Sequence, residues 1–240
     1  MHVYTDADLY DTFCNGIEKD FAGQAGQIAA LVRRARPHAR TLLDVACGTG
    51  EHAKYLSEVH GFEVDGIDIS PEMIERTRAK CPRGRFDVGD MVDFQLGRRY
   101  DGVLNLFGAI AHAGTVPRLR DTLACMRDHL VPGGIAVVQP YLTPDELQVG
   151  TAEYTVESGN LRVMRTRRSE RDGHRQRLYF HYTVEGPDGT QELDEAHDLA
   201  LFTVEETLGA FFAVGLAATY DPGSPDELGG KGFYVASAPA

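Results

Sequence analysis

The chain is 240 residues long, 42 per cent hydrophobic and 25 per cent charged, which suits a soluble globular protein of one α/β domain with an insertion. Its formal net charge of −12 argues against a protein built to hold nucleic acid, which wants a basic face. Scattered cysteines without a CxxC pair, no apolar run of membrane-spanning length and no basic-then-apolar leader point to free thiols, a cytoplasmic location and no membrane partner.

The opening MHVYTDADLYDTF sets Tyr4 and Tyr10 in a polar context, with Asp6 or Asp8 available to cap a short helix. Residues 20–36 carry Phe21, Ile28, Leu31 and Val32 at helical spacing, and Pro37 ends that helix. Residues 1–40 thus read as an N-terminal helical lid, whose tyrosines either close over a ligand or pack on the core. Next, LLDVA (42–46) reads as a short buried strand, Gly48-Thr49-Gly50 as a tight turn and 51–60 as a helix. This strand–turn–helix step is how α/β proteins build a nucleotide site, because glycine permits close backbone approach and a helix start offers unpaired N–H groups.

A second strand over 62–68 ends at Asp68, where an acidic side chain accepts ribose hydroxyls in such folds. Ser70-Pro71-Glu72 opens the next helix with a cap, a proline and an acid. Met73, on its first turn, is either core or a wall for an adenine ring. Strand 85–88 leads to Asp90, which can accept from an exocyclic amine. Strand 100–107 is apolar, as in a parallel sheet covered on both faces. It runs into a loop carrying His112 to the carboxyl ends of the strands, where ligands of open α/β sheets sit. Helix 116–130, a tight turn at Pro132-Gly133-Gly134 and strand 135–140 follow.

The pattern then changes to strands around 154–156, 161–168, 175–185 and 191–201, separated by turn residues. Leu178, Phe180, Tyr182 and Val184 alternate with polar neighbours, as in a half-buried antiparallel strand. Seven arginines lie between Arg162 and Arg177; they either bind an anion or line a solvated sheet face. Residues 203–215 return to helix under a Thr203/Glu206 capping box, and 217–220 with 232–236 form a terminal hairpin. The expected fold is α/β: a Rossmann-like sheet with helices on both faces, formed by 1–140 and 202–240, plus an antiparallel β insertion over 141–201 after strand five.

The glycine pattern Gly48-x-Gly50-x-x-Ala53 alone also fits a loose dinucleotide fingerprint. Asp44 ahead of the turn decides against it, since a carboxylate there repels a pyrophosphate and attracts a cation such as the amino group of S-adenosylmethionine. An NAD(P) oxidoreductase and a non-catalytic binding protein are the lesser readings. The histidines are dispersed without HxH or HExxH spacing, so no metal is expected.

Taken together, LDVACGTG, GIDIS-PEM, GDM, YDGVLNLFGAIAH and LVPGG resemble motifs I to post-III of the class I S-adenosylmethionine-dependent methyltransferases. That resemblance implies a seven-stranded sheet whose last strand, supplied here by the terminal hairpin, runs antiparallel. It also implies S-adenosylmethionine as cofactor, leaving as S-adenosylhomocysteine. Over nearly the whole chain, ADLYDTF…KDF, LLDVACGTG, GDM-x-DF-x-LGRR, the loop ending at His112, the antiparallel insertion, ALFT and GKGFYV are similar to the TDP-3-aminosugar N,N-dimethyltransferases of desosamine- and mycaminose-type antibiotic sugars. This closer resemblance implies two methyl transfers to the amine of a nucleotide-linked aminosugar, and a homodimer. The insertion would help form both the sugar–nucleotide site and the dimer.

Carried over by position, Tyr10, Phe21, Ala46, Asp68, Asp90, Met91 and Leu106 would border the cofactor, joined by Asp44, Gly48, Gly50, Ile69 and Met73 from the residue reading of the first two strand ends. His112 matches the active-site histidine, and Tyr4 (or His2 in its place) the N-terminal tyrosine near the sugar. His112 is expected mainly to orient the amine and secondly to act as base. Gln139-Pro140-Tyr141-Leu142 replaces the family's Glu-Pro-Trp-Trp, and Lys231 replaces the arginine of its Gly-Arg-Gly. These departures fall on the substrate side, and they keep O- or C-methylation of another small molecule as the alternative.

Overall fold

The computed structural model describes residues 7–16, 20–223 and 232–239. Helices α1 (Ala7–Gly16) and α2 (Phe21–Ala35) precede the alternating series β1 (Thr41–Val45), α3 (Glu51–Glu58), β2 (Glu63–Asp68), α4 (Pro71–Lys80), β3 (Phe86–Val88) and β4 (Tyr100–Asn105). A one-turn 3-10 helix (Ala109–Ala113), α5 (Val116–Asp128) and β5 (Leu130–Val138) follow. Then come four consecutive strands, β6 (Gly150–Ser158), β7 (Leu161–Asp172), β8 (Arg175–Gly186) and β9 (Gly189–Ala200), before α6 (Val204–Ala213), β10 (Ala217–Asp221) and β11 (Phe233–Ser237).

Among the described residues the strands form two sheets. The larger has seven strands in the order β10-β11-β5-β4-β1-β2-β3. β1 pairs in parallel with β2 and β4, and β11 runs antiparallel between β5 and β10. The order reverses at β1, the topological switch point where an open α/β sheet takes its ligand. The smaller sheet is the meander β6-β7-β8-β9, antiparallel throughout.

The capping signals read from the sequence are present. The Ser70 hydroxyl accepts the Met73 N–H at 3.2 Å, and Thr203 and Glu206 complete a capping box. Two expectations need correction. Pro132-Gly133-Gly134 is not a turn before a strand but an irregularity inside β5: Tyr100 faces Leu130, whereas Gly102 already faces Ile135. The extra residues are stabilised because Arg36 donates to the Gly133 carbonyl and the Gly133 N–H donates to Pro239 O. Secondly, α2 buries Ile28, Ala29 and Val32 with Leu42, Leu56 and Leu104. It belongs to the layer covering the large sheet.

The insertion makes its own apolar cluster. Leu9 and Phe13 of α1 and Ala111 of the 3-10 helix pack with Val156, Val163, Leu178, Phe180, Tyr182 and Leu199. One face of the meander therefore leans over the carboxyl ends of the parallel strands and over α1.

The turn after β1 is fixed by glycine. Gly50 has φ +80°, and a Cβ there would meet Thr77 Cγ2 at 2.6 Å. Thr77 cannot yield: it is fully buried, and its hydroxyl donates to Gly48 O at 2.7 Å and Met73 O at 2.9 Å. Gly50→Ala is expected to destabilise the fold by about 2 kcal/mol or more, measurable as a fall in the denaturation midpoint.

Candidate active site

Asp44 lies near the end of β1 with 2% exposure, and among the described residues its carboxylate accepts no hydrogen bond. Burial, then the charge of Asp68, pushes its pKa up to about 7. Beyond it the chain turns through Ala46 at φ 63° and Gly48 at φ 57°, and a Cβ built on Gly48 meets nothing within 4 Å. The turn is thus open to a ligand on the side of the orphaned carboxylate. Asp68, ending β2, accepts the Gly48 N–H at 2.8 Å and the Ser70 N–H at 3.0 Å. Burial raises its pKa, and these N–H groups oppose the rise. Cys47 sits between them; burial and the two carboxylates push its thiol far above the ordinary range, so it is not a nucleophile.

His112 stands on the 3-10 helix, whose cap Gly108 has φ 74°. Its ring reaches solvent, yet the meander walls it: the His197 ring is 5.8 Å away, edge-on at 87°. Enclosure first, and His197 second, lower its pKa to about 4, with Glu195 acting the other way. An imidazole keeping this contact with water is less depressed than a fully enclosed one, but the direction leaves it neutral at physiological pH. His197 in turn lies 3.3 Å from Glu195.

Most of the other residues expected at the site surround these two centres. Tyr10 is half-buried against the α1–meander cluster. Phe21 is buried, its ring 5.2 Å from His52 on the first turn of α3. Asp90 is already engaged, accepting from Val92 N–H at 3.1 Å and standing 3.5 Å from Arg118. Ile69 is 70% exposed, while Met73 is 2% exposed, so the core reading of Met73 is the one its packing supports. Met91 and Leu106 are buried in separate clusters.

The segment after β5 braces rather than lines a wall at its first residue. Buried Gln139 accepts the N–H of Phe107, itself at φ 59°, through Oε1 at 2.7 Å. It thereby holds the start of the loop that carries His112. Pro140 and Leu142 are half-buried. Tyr141 donates to Gln176 Oε1 at 2.6 Å, and burial raises its pKa. Tyr4, His2 and Lys231 lie outside the described residues.

Several residues of this region escaped the sequence reading. Asp11 on α1 accepts from the Thr49 hydroxyl at 2.6 Å and from Arg76 Nε at 3.1 Å, with Lys80 Nζ 2.6 Å away. Lys80 also meets Glu51 at 2.6 Å. These residues come from four segments and carry no local signal. Glu195 and His197 did carry one: the period-two alternation of β9 puts both on the face of Leu199, toward His112.

Residues 42–134 match the family described as a methyltransferase domain. The dTDP-3-amino-3,6-dideoxy-α-D-glucopyranose N,N-dimethyltransferase of Streptomyces fradiae is 40% identical, over 95% of this chain and 89% of that protein. Among solved structures, DesVI of Streptomyces venezuelae superposes with a TM-score of 0.90 at 36% identity, over 98% of each chain. The S-adenosylmethionine-bound amino pentose methyltransferase CalS10 of Micromonospora echinaspora gives 0.85 at 35%, over 95% of this chain and 96% of that one. The chain belongs to the sugar N,N-dimethyltransferase family of class I methyltransferases. It is an S-adenosylmethionine-dependent methyltransferase, and the carboxylates and open glycine turn after β1 and β2 suit a cationic, ribose-bearing cofactor.

In the cofactor-free methyltransferase, Asp44 has its pKa raised from 3.8 to about 7. The folded state therefore holds this proton between those values and the unfolded state does not. Stability from Asp44 is present below pH 4 and is lost as pH rises through 7. Asp44→Asn removes this dependence, and at pH 8 it is expected to stabilise the cofactor-free protein by up to ~4 kcal/mol. Chemical denaturation of both proteins at pH 5 and pH 8 checks this; equal differences at the two pH values contradict it.

Proposed function

We propose that this methyltransferase acts twice on the amino group of a TDP-linked aminosugar in antibiotic deoxysugar biosynthesis. The observation that carries this reading is the extent of the likeness to the Streptomyces fradiae enzyme. It covers 95% of the chain, so it runs through the β6–β9 meander as well as the shared cofactor half.

Bound S-adenosylmethionine supplies a sulfonium methyl that passes by in-line displacement to a neutral amine nitrogen, with the C–S electron pair leaving on sulfur. On this reading the ionised Asp44 holds the cofactor's ammonium group, and Asp68 accepts its ribose hydroxyls. Gly48 and Gly50 let it approach the backbone. Asp90, turning from Arg118, accepts from the adenine amine beside Ile69 and Met91. Tyr10, Phe21, Ala46 and Leu106 complete that pocket. Neutral His112 orients the acceptor amine and secondly takes the proton released on transfer, while alignment supplies most of the acceleration. Tyr4, Pro140, Tyr141, Leu142 and Lys231 serve the acceptor side, and Gln139 serves it by bracing Phe107. The meander, taken as residues 141–201, is the acceptor-binding unit.

We also place the enzyme in the cytoplasm as a homodimer. Among the described residues no helix is long and apolar enough to cross a membrane. β6 has a strand partner on one side only, which leaves an edge for a second copy. Sedimentation velocity reads that state directly.

Incubation with S-adenosylmethionine and a TDP-3-amino-3,6-dideoxyhexose, followed by mass spectrometry, is expected to give products heavier by one and then two methyl groups. Fragmentation that puts the methyl on oxygen or carbon contradicts N-methylation. His112→Asn is expected to lower kcat about 100-fold. With the His112 pKa near 4, the imidazole is neutral from pH 6 to 9, so that loss should stay constant across the range. A loss that shrinks at pH 6 shows that His112 titrates there instead.

A further inference from the structure

The pleat of β7 and β8 sorts the arginines of the meander. On the outer face, three of the four meet carboxylates among the described residues, Arg175 being the exception. Arg162 lies within 3.8 Å of Glu157 and 3.6 Å of Glu185, and Arg168 lies 3.0 Å from Glu170. Arg177 lies 3.1 Å from Asp198 and 3.5 Å from Asp172. Arg171, at the end of the inner row, donates to the carbonyls of Gly173 and Pro144.

Arg165 and Arg167 differ. They share the inner face of β7 with buried Val163 and Ser169. Among the described residues neither lies within ion-pair distance of a carboxylate, and the Nε of each is buried without a hydrogen-bond partner. In a chain with 36 acidic residues against 24 basic ones, two adjacent inward guanidiniums lacking an acid are a specific arrangement. A buried N–H without an acceptor is costly.

The Arg165 guanidinium is boxed by aromatic rings, at 3.9 Å from Phe13, 4.9 Å from Tyr154 and 4.9 Å from Phe180. Rings attract its plane but accept nothing from its in-plane N–H edge. Glu195, the acid across Phe180 in the row of Arg167, sets its Oε1 3.3 Å from His197.

We propose that Arg165 and Arg167 are an anion site that holds the diphosphate of the methyl acceptor. The inference rests on the nucleotide-sugar reading and extends it to residues outside the motifs. Location supports it. Ring contacts lead from His112 to His197 (5.8 Å), from His197 to Phe180 (5.8 Å), and from Phe180 to Arg165. Tyr141, whose hydroxyl feels the charge of Arg167, packs where a Cβ on Gly108 would sit, at the cap of the helix bearing His112. An acceptor with its amine at His112 thus presents its far end to the arginines. Residues i and i+2 of a strand stand about 6.6 Å apart on one face. That spacing lets two forked donors converge on neighbouring phosphoryl groups, whereas one carboxylate occupies a single fork. The pair also supplies the forked geometry that Lys231 does not have.

The test is calorimetric titration of dTDP and of thymidine into the full-length protein loaded with S-adenosylhomocysteine. Wild type is compared with Arg165→Gln, Arg167→Gln and Arg167→Lys, and S-adenosylhomocysteine affinity reports that each variant is folded. Wild type should bind dTDP more tightly than thymidine. Each Gln variant should lose about 10- to 100-fold for dTDP with thymidine unchanged, and Arg167→Lys should lose less. If opening the aromatic box unfolds Arg165→Gln, the Arg167 variants decide. Variants that keep the wild-type preference for dTDP overturn the arginine assignment and leave the nucleotide-sugar reading standing. A wild type that binds S-adenosylhomocysteine but neither dTDP nor thymidine overturns both.

Discussion

Asp44 is a carboxylate set into β1 at 2% exposure beside a second acid, Asp68, and the proposed cofactor site is arranged around that pair. Carboxylates elsewhere on the same sheet are treated differently. Asp101, at the start of β4, accepts from the backbones of Arg40 and Thr41, the Thr41 hydroxyl and Arg36. Burial works against it, and those bonds still hold its pKa below the ordinary value. Asp65 is met by Arg98, the Tyr100 hydroxyl and the Arg85 N–H. On the proposed reading, the cofactor's ammonium group gives Asp44 the partner that Asp101 and Asp65 find within the chain. Its arrival would offset the cost of burying that carboxylate.

From that turn the coupling runs outward through α1. Asp11 ties the helix to Thr49 of the glycine turn and to Arg76 and Lys80 of α4. The other face of α1 puts Leu9 and Phe13 into the meander's core, beside Ala111 of the His112 helix. One short helix therefore touches the cofactor turn, the insertion and the carrier of His112. An ion network of mostly shielded groups on one side, and apolar burial on the other, hold α1 between these three parts.

The parallel half of this architecture was legible because its signals are local: an apolar run, glycines at fixed offsets, Ser70-Pro71-Glu72, Thr203 with Glu206. Each is decided within a few residues by backbone sterics or capping. The turn assigned to Pro132-Gly133-Gly134 misled because the same residues serve a bulge when β4 and distant Arg36 supply the partners. Asp11 was invisible because its partners arrive from two other segments, the glycine turn and α4. The arginines of the meander were seen as a group but not sorted, although the strand period separates Arg165 and Arg167 from Arg162 and Arg168. What sequence lacked was the choice of face, which depends on α1 and the 3-10 helix covering only one side.

The electrostatic layout across the cleft explains why a weak, neutral histidine suits this chemistry. On the proposed reading, acids gather at the cofactor end in Asp44 and Asp68, and Arg165 and Arg167, which meet no carboxylate among the described residues, serve the acceptor end. His112 stands beside the meander, its ring 5.8 Å from that of His197. On that reading a charged imidazole there would face a sulfonium on one side and could not take the proton that the acceptor must shed. At short range in a low-dielectric cleft such a like-charge contact is costly. Walling His112 with the meander, and setting His197 rather than a free carboxylate against it, keeps the ring uncharged. On the proposed reading the insertion thus does two things with one face: it would supply the acceptor's counter-charges, and it would remove charge from the point where the methyl group moves.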